Sequence, residues 1–383
     1  MDFENVYISN KQQKLFGRYI TLDHIEPILQ ELNSKNHLKI IGLSVQQKPI
    51  YRFIIGTGKI KILIWSQMHG NESTTTKAIF DFLNLLKSST NLSHNLLENF
   101  TFCIVPILNP DGAALYTREN ANNIDLNRDF KDFSQPESSA LMQLFNDFKP
   151  NYCYNMHDQR TIYGAGNTGK PATVSFLAPS FNENCDFNEN RLQAAAIIIA
   201  VNDVLQEFIP YQIGRFDDAY NDNCAGDSFQ KLGVPTILFE AGHYQEDYER
   251  EITRKFIFIG LVASFQSILN LKIINIIANY ELIPKNKVCF YDIIYKNVKT
   301  ISNYNNIIIT FALNYIETLI DNKIVFEAFV LAIDNLENYY GHLEIDAKNQ
   351  VFISQSTIFS QLDAKANFKI DDIEIIFGKL TNS

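Results

Sequence analysis

From Lys59 onward the chain repeats one pattern: a short apolar run rich in β-branched residues, a polar turn, then a stretch with helical spacing. Parallel strands need a crossover of about a dozen residues or more between them, and a helix usually supplies it. The pattern therefore restricts the fold to an α/β one, a mixed, mostly parallel sheet with helices on both faces. Lys59–Trp65, Thr101–Ile107, Tyr152–Met156 and Thr236–Phe239 read as its strands. Ser73 is placed to cap the helix after the first of them, with Ala78, Ile79, Phe82, Leu83 and Leu86 as its apolar stripe. Ser138–Phe148 and Asn190–Phe208 read as further helices. Upstream, a helix is expected over Asp23–Leu32 and strands over Leu38–Val45 and Ile50–Thr57.

After about Lys272 the alternation fades. Asn306–Asn314, Lys323–Leu331 and Gln350–Ser354 read as strands with few helices, so residues 1–272 are expected to form one domain and 273–383 a smaller β-rich one. A formal net charge of −10 disfavours a nucleic-acid partner, which calls for a basic face. The longest apolar stretch, Phe256–Phe265, falls well short of a membrane span, and no membrane partner is expected. Met1–Leu15 lacks an apolar core of signal-peptide length. The cysteines at 103, 153, 185, 224 and 289 are scattered without CxxC spacing and read as reduced thiols. Together these lead to the expectation of a cytoplasmic protein. The oligomeric state is left open.

Four segments could carry chemistry. His69-Gly70-Asn71-Glu72 follows the first parallel strand directly, where open α/β sheets bind ligands. A His and a Glu three residues apart can reach one zinc ion, whose catalytic sites use three protein ligands and keep a position open. With seven histidines, HxxE spacing arises easily by chance, and His243–Glu246 matches it too. Arg118–Arg128 sets two arginines and several asparagines within eleven residues, shortly after the Asn109-Pro110-Asp111-Gly112 turn. Such donors suit a carboxylate, although composition alone favours a polar surface loop. His157 stands just past an apolar strand, where a histidine is more often structural. Glu240 ends another; a carboxylate after four apolar residues is costly to bury unless something pairs with it or uses it.

Taken together and in order, HxxE, NPDG, RxNxNxxDLNR, a strand-end His and a strand-end Glu resemble the zinc carboxypeptidases of the M14 metallopeptidase group, over about Gly56 to Gly242. The resemblance implies one zinc ion held by His69, Glu72 and His157, with Asp125 orienting His69. It implies Glu240 as general base and Arg118 as stabiliser of the oxyanion. It implies Asn127 and Arg128 as the grip on the substrate's C-terminal carboxylate. The family's mobile tyrosine corresponds to Tyr220, with Tyr244 as the alternative. The residue ahead of Asp227, often the floor of the specificity pocket in this family, is Gly226 and brings no charge.

The segments His157–Arg160 and Glu240–Tyr244 depart from the digestive members, and the β-rich tail lies outside the shared core. The expected activity is removal of a C-terminal residue from a peptide. The alternative is deacylation of small N-acyl amino acids, because aspartoacylases and succinylglutamate desuccinylases also resemble the HGNE loop, the DLNR segment and a β-rich C-terminal domain. A non-catalytic binding protein and a member acting on cell-wall peptides with D-amino acids are further readings.

Overall fold

The computed structural model describes residues 1–33, 37–302, 305–333, 336–353, 365–370, 373–376 and 379–380. By its contacts the chain divides into two units: residues 1–159 with 165–286, and residues 160–164 with 287–383.

The first unit is built on an eight-stranded sheet, in the order β1 (Leu38–Leu43), β2 (Pro49–Gly56), β4 (Phe100–Val105), β3 (Ile60–Ser66), β5 (Tyr152–Asp158), β8 (Thr236–Ala241), β6 (Val174–Leu177), β7 (Ile213–Arg215). The central four, β4-β3-β5-β8, run parallel, and β2 and β6 border them antiparallel. Helices α1 (Phe3–Asn10), α2 (Leu22–Leu32), α3 (Thr74–Lys87), α4 (Asn91–Asn99), α5 (Pro110–Leu115), α6 (Pro136–Phe148), α7 (Glu189–Gln206), α8 (Ala225–Lys231), α9 (Glu251–Ile268) and α10 (Ile276–Glu281) accompany it. One core gathers Ile62, Ile64, Tyr154 and Phe239 with the buried faces of α3, α7 and α9. A second holds Leu63, Trp65, Cys103 and Cys153 against α6 and Phe229. Alternate residues of β3 thus serve opposite layers, which is why Ile62–Trp65 is continuously apolar.

Two sequence expectations change, at Ser73 and at the domain boundary. Ser73 precedes α3 but does not cap it: its hydroxyl donates to Arg18 O. The apolar run Phe256–Phe265 lies inside α9, buried on nearly every side by the sheet and by α3 and α7, so it shows no amphipathic stripe. The boundary falls at Asn286 rather than 272, because Ile276, Tyr280 and Ile283 join the first core and Pro284 O accepts from Arg215 N. No helix among the described residues is long and apolar enough to cross a membrane. All five cysteines are free thiols.

The second unit is β-rich. A four-stranded sheet runs β11 (Lys323–Ile333), β10 (Asn305–Ile320), β9 (Phe290–Ser302), β12 (Tyr340–Asp346). A second sheet of short strands comprises β13 (Phe352–Ile353), β14 (Phe368–Ile370), β15 (Ile373–Ile376) and β16 (Lys379–Leu380). Their core includes Tyr295, Phe311, Leu313, Val330 and Phe368. Ser354, the last residue of the strand expected at Gln350–Ser354, lies outside the described residues. Arg160–Gly164 joins this unit because Ile162 O accepts from both Cys289 N and Phe290 N, and His342 Nε2 bonds Thr161 O.

In the first unit, α9 is locked to α3 by charge as well as packing. Arg254 and Asp81, both fully buried, form a bidentate pair at 2.7 and 2.6 Å, and Arg254 also donates to Leu15 O and Gln12 O. Glu251 meets Lys77, Lys11 and Arg254. Removing one partner of a buried pair leaves an uncompensated charge. Asp81→Ala is therefore expected to lower stability by about 3–5 kcal/mol in urea unfolding. The double change Asp81→Ala with Arg254→Met should cost less than the sum of the singles. Burial favours protonation of Glu251, but Lys77, Lys11 and Arg254 outweigh it and hold the carboxyl near 2 against an ordinary 4.5. A depressed folded value means stability present above pH 4.5 and lost as pH falls toward 2. Glu251→Gln should flatten that loss in pH-dependent unfolding; an unchanged acid limb would refute the assignment.

Candidate active site

The HxxE loop leaves β3 at Ser66 and turns through Gln67, whose φ is +49°. Gly70 must be glycine: a Cβ there would lie 1.9 Å from the backbone of Gly112, at the start of α5. Asn109 caps α5 by accepting from Gly112 N at 2.8 Å, while its Nδ2 donates to Met68 O and Glu119 O at 3.2 and 3.1 Å. One side chain thus joins the NPDG turn, the HxxE loop and the start of the arginine segment. Asn120 folds that segment on itself, accepting from Asn122 N and Ile124 N and donating to Gln135 and Glu137. Asn120 is accordingly structural, as buried amides with satisfied partners usually are.

At the carboxyl ends of β3 and β5, His69, Glu72 and His157 converge. One ligand atom from each lies within 4.8 Å of the other two, and all three residues are buried. Glu72 Oε1 is 2.8 Å from His69 Nδ1, Oε2 is 2.8 Å from His157 Nδ1, and the two Nδ1 atoms are 3.1 Å apart. His69 Nε2 lies 3.0 Å from Asp125 Oδ1, which places its proton on Nε2 and its lone pair, on Nδ1, toward Glu72. His157 Nε2 is buried with no hydrogen-bond partner among the described residues. Two imidazole lone pairs aimed at a carboxylate repel it unless a cation or protons lie between. The set of two nitrogens and a carboxylate fits a divalent metal, zinc above all. Burial opposes ionisation of Glu72, but the two imidazoles outweigh it and hold the carboxyl below the ordinary range. Among the described residues this is the one such group. The second HxxE does not form one: His243 is buried with its ring on Tyr248, and Glu246 is exposed.

Arg118 donates to Asp125 Oδ2 through Nε at 3.1 Å and to Glu72 Oε1 through Nη1 at 3.2 Å. Burial raises the Asp125 carboxyl, yet His69 and Arg118 bring it below the ordinary carboxylate range. Glu240 is half-buried on β8, in register with His157 on β5. Burial, with the charges of Glu72 and Asp158, raises its carboxyl well above the usual value, against the pull of Arg118 and Arg250. Arg250, fully buried, donates to Ala241 O at the end of β8, to Gly242 O just after it and to Gln159 O beyond β5, tying the two strand ends together.

Asn127 accepts from Ala225 N, the first residue of α8, so the group it can offer a ligand is its NH2. Arg128 Nη1 donates to Asn127 O and to Cys224 Sγ at 2.7 and 3.1 Å. Nothing among the chain neighbours of Cys224 points to Arg128. A Cβ on Gly226 would come 3.0 Å from Pro179 Cγ, so the helix start abuts that proline. Burial pushes Asp227 up to about 7. Tyr220 rests against Lys231, with the ammonium 5.7 Å from its ring centroid. Tyr244 packs on Phe256 at the edge of the core.

A buried His–Glu–His group at the carboxyl ends of a mixed α/β sheet, with a carboxylate in register beside it, has the donor set and placement of a catalytic metal site. Residues 23–172 match the family model described as zinc carboxypeptidase. Carboxypeptidase SOL1 of Arabidopsis thaliana is 29% identical over 154 residues, which cover 34% of this chain and 31% of that protein. Carboxypeptidase M of Mus musculus is 29% identical over 191 residues, 42% of this chain and 43% of that protein. The chain thus spans less than half the length of these curated relatives. A metallo-carboxypeptidase from Burkholderia cenocepacia shares the fold, with a TM-score of 0.52 at 18% identity over 65% of this chain and 69% of that one. On these matches the N-terminal part of the chain is similar to zinc carboxypeptidases.

The geometry predicts that His69→Ala or His157→Ala abolishes stoichiometric zinc binding, measured by metal analysis after gel filtration. Full zinc occupancy in either variant would refute the ligand assignment.

Proposed function

We propose that this chain is a zinc-dependent metallocarboxypeptidase that hydrolyses the C-terminal amide bond of a peptide. The observation that carries the reading is the convergence of His69, Glu72 and His157, with Glu240 in register beside His157. Zinc bound to those three side chains would act as a Lewis acid and lower the pKa of a bound water. Each remaining part falls to a residue of the chain. Glu240, in register beside His157, takes the proton of the attacking water and passes it to the leaving amine. Arg118 offers fixed N–H donors to the developing oxyanion. Asp125 keeps the His69 proton on Nε2. Arg128 and the NH2 of Asn127 hold the substrate's free carboxylate, and Tyr220 completes the substrate-contacting set.

Glu240→Gln is expected to lower kcat about 10²- to 10⁴-fold with zinc retained, measured on a blocked dipeptide; unchanged turnover would remove Glu240 from the chemistry. Arg128→Ala should raise KM for peptides with a free C-terminus and leave amidated peptides unaffected. An equal loss on both would refute the anchoring role. The decisive assay compares peptides with N-acyl amino acids, since hydrolysis of the latter alone would assign the site to deacylation.

A further inference from the structure

We propose that Asp158 is a positioning residue that sets the spacing of Glu72 and His157, and through it the affinity of the site for its metal; the inference rests on the metal-site reading above. Asp158 follows His157 directly at the end of β5. Its backbone N–H donates to Glu72 Oε2 at 3.1 Å. Its carboxylate, buried, accepts from Thr74 N at 2.9 Å and Thr75 N at 3.2 Å, the first two residues of α3. Glu72 stands two residues before that helix.

The first amides of a helix have no partner within it, and a carboxylate there gains both hydrogen bonds and the helix dipole. Ser73, the residue placed to serve them, is turned to Arg18 instead. The helix start is therefore held by a residue from another strand, and that residue is the chain neighbour of a ligand. The two imidazoles differ in this respect. His69 has Asp125 on its far nitrogen, whereas His157 Nε2 has no hydrogen-bond partner among the described residues. Where a ligating histidine normally receives its support through the ring, His157 receives it through the backbone, from Asp158 anchored on α3. Asparagine fits the same space but can accept with only one of its two terminal atoms.

The test measures zinc dissociation constants by chelator competition for the wild type, Asp158→Asn and Leu86→Ala, the last a core change at the far end of α3. Asp158→Asn should bind zinc at least about tenfold more weakly and recover hydrolysis at saturating zinc, while Leu86→Ala keeps wild-type affinity. Wild-type affinity in Asp158→Asn, or an equal loss in Leu86→Ala, would overturn the proposal. A wild-type protein that binds no zinc would instead overturn the metal reading itself. Should Asp158→Asn fail to fold, amide exchange at Thr74 and Thr75 in the zinc-free wild type decides. Slow exchange without zinc supports a preset anchor, and protection that arises only on zinc addition overturns it.

Discussion

One buried carboxylate, Glu72, is the point on which the arrangement turns. Two imidazoles reach it from different segments, one oxygen apiece at 2.8 Å, while Arg118 and the Asp158 amide approach from outside. Desolvating a carboxylate is expensive, and it is tolerated only where fixed partners replace the water it loses. Much of the surrounding structure serves that condition. Asn109 secures the loop, Asp125 secures His69, and the parallel register of β3, β5 and β8 delivers His157 and Glu240 side by side.

Rigidity at this end is matched by a polar lock behind it. Arg254 and Asp81 fasten α9 to α3, and Arg254 also holds the Gln12–Leu15 segment. The helix that begins beside the ligands is thus fixed at its start by Asp158 and along its length by Asp81. A site that must keep three side chains within a few ångströms gains from such redundancy, because a packed core resists continuous deformation.

Much of this was legible in the residues. β5 and β8 are largely apolar runs that carry His157 and Glu240 at their ends, in register with each other. Part of the arginine segment was legible because Asn120 folds its own loop, a local property. Other features escaped for physical reasons. Ser73 has the chemistry of a cap, but a competing acceptor, Arg18 O, took its hydroxyl. Helix α9 offered no amphipathic signal because it is surrounded. The boundary moved because Tyr280 fits a core formed by residues far away along the chain.

Taken alone, the order and type of residues determined the class of sheet and put His69, Glu72 and His157 among the candidate ligands, because strand periodicity and local turn chemistry are short-range. Which HxxE meets a histidine from another strand, which donor caps α3, and that Cys224 rather than another thiol touches Arg128 were decided only by tertiary structure. Those are encounters between segments tens of residues apart, and nothing in the local chain encodes the distance that folding leaves between them.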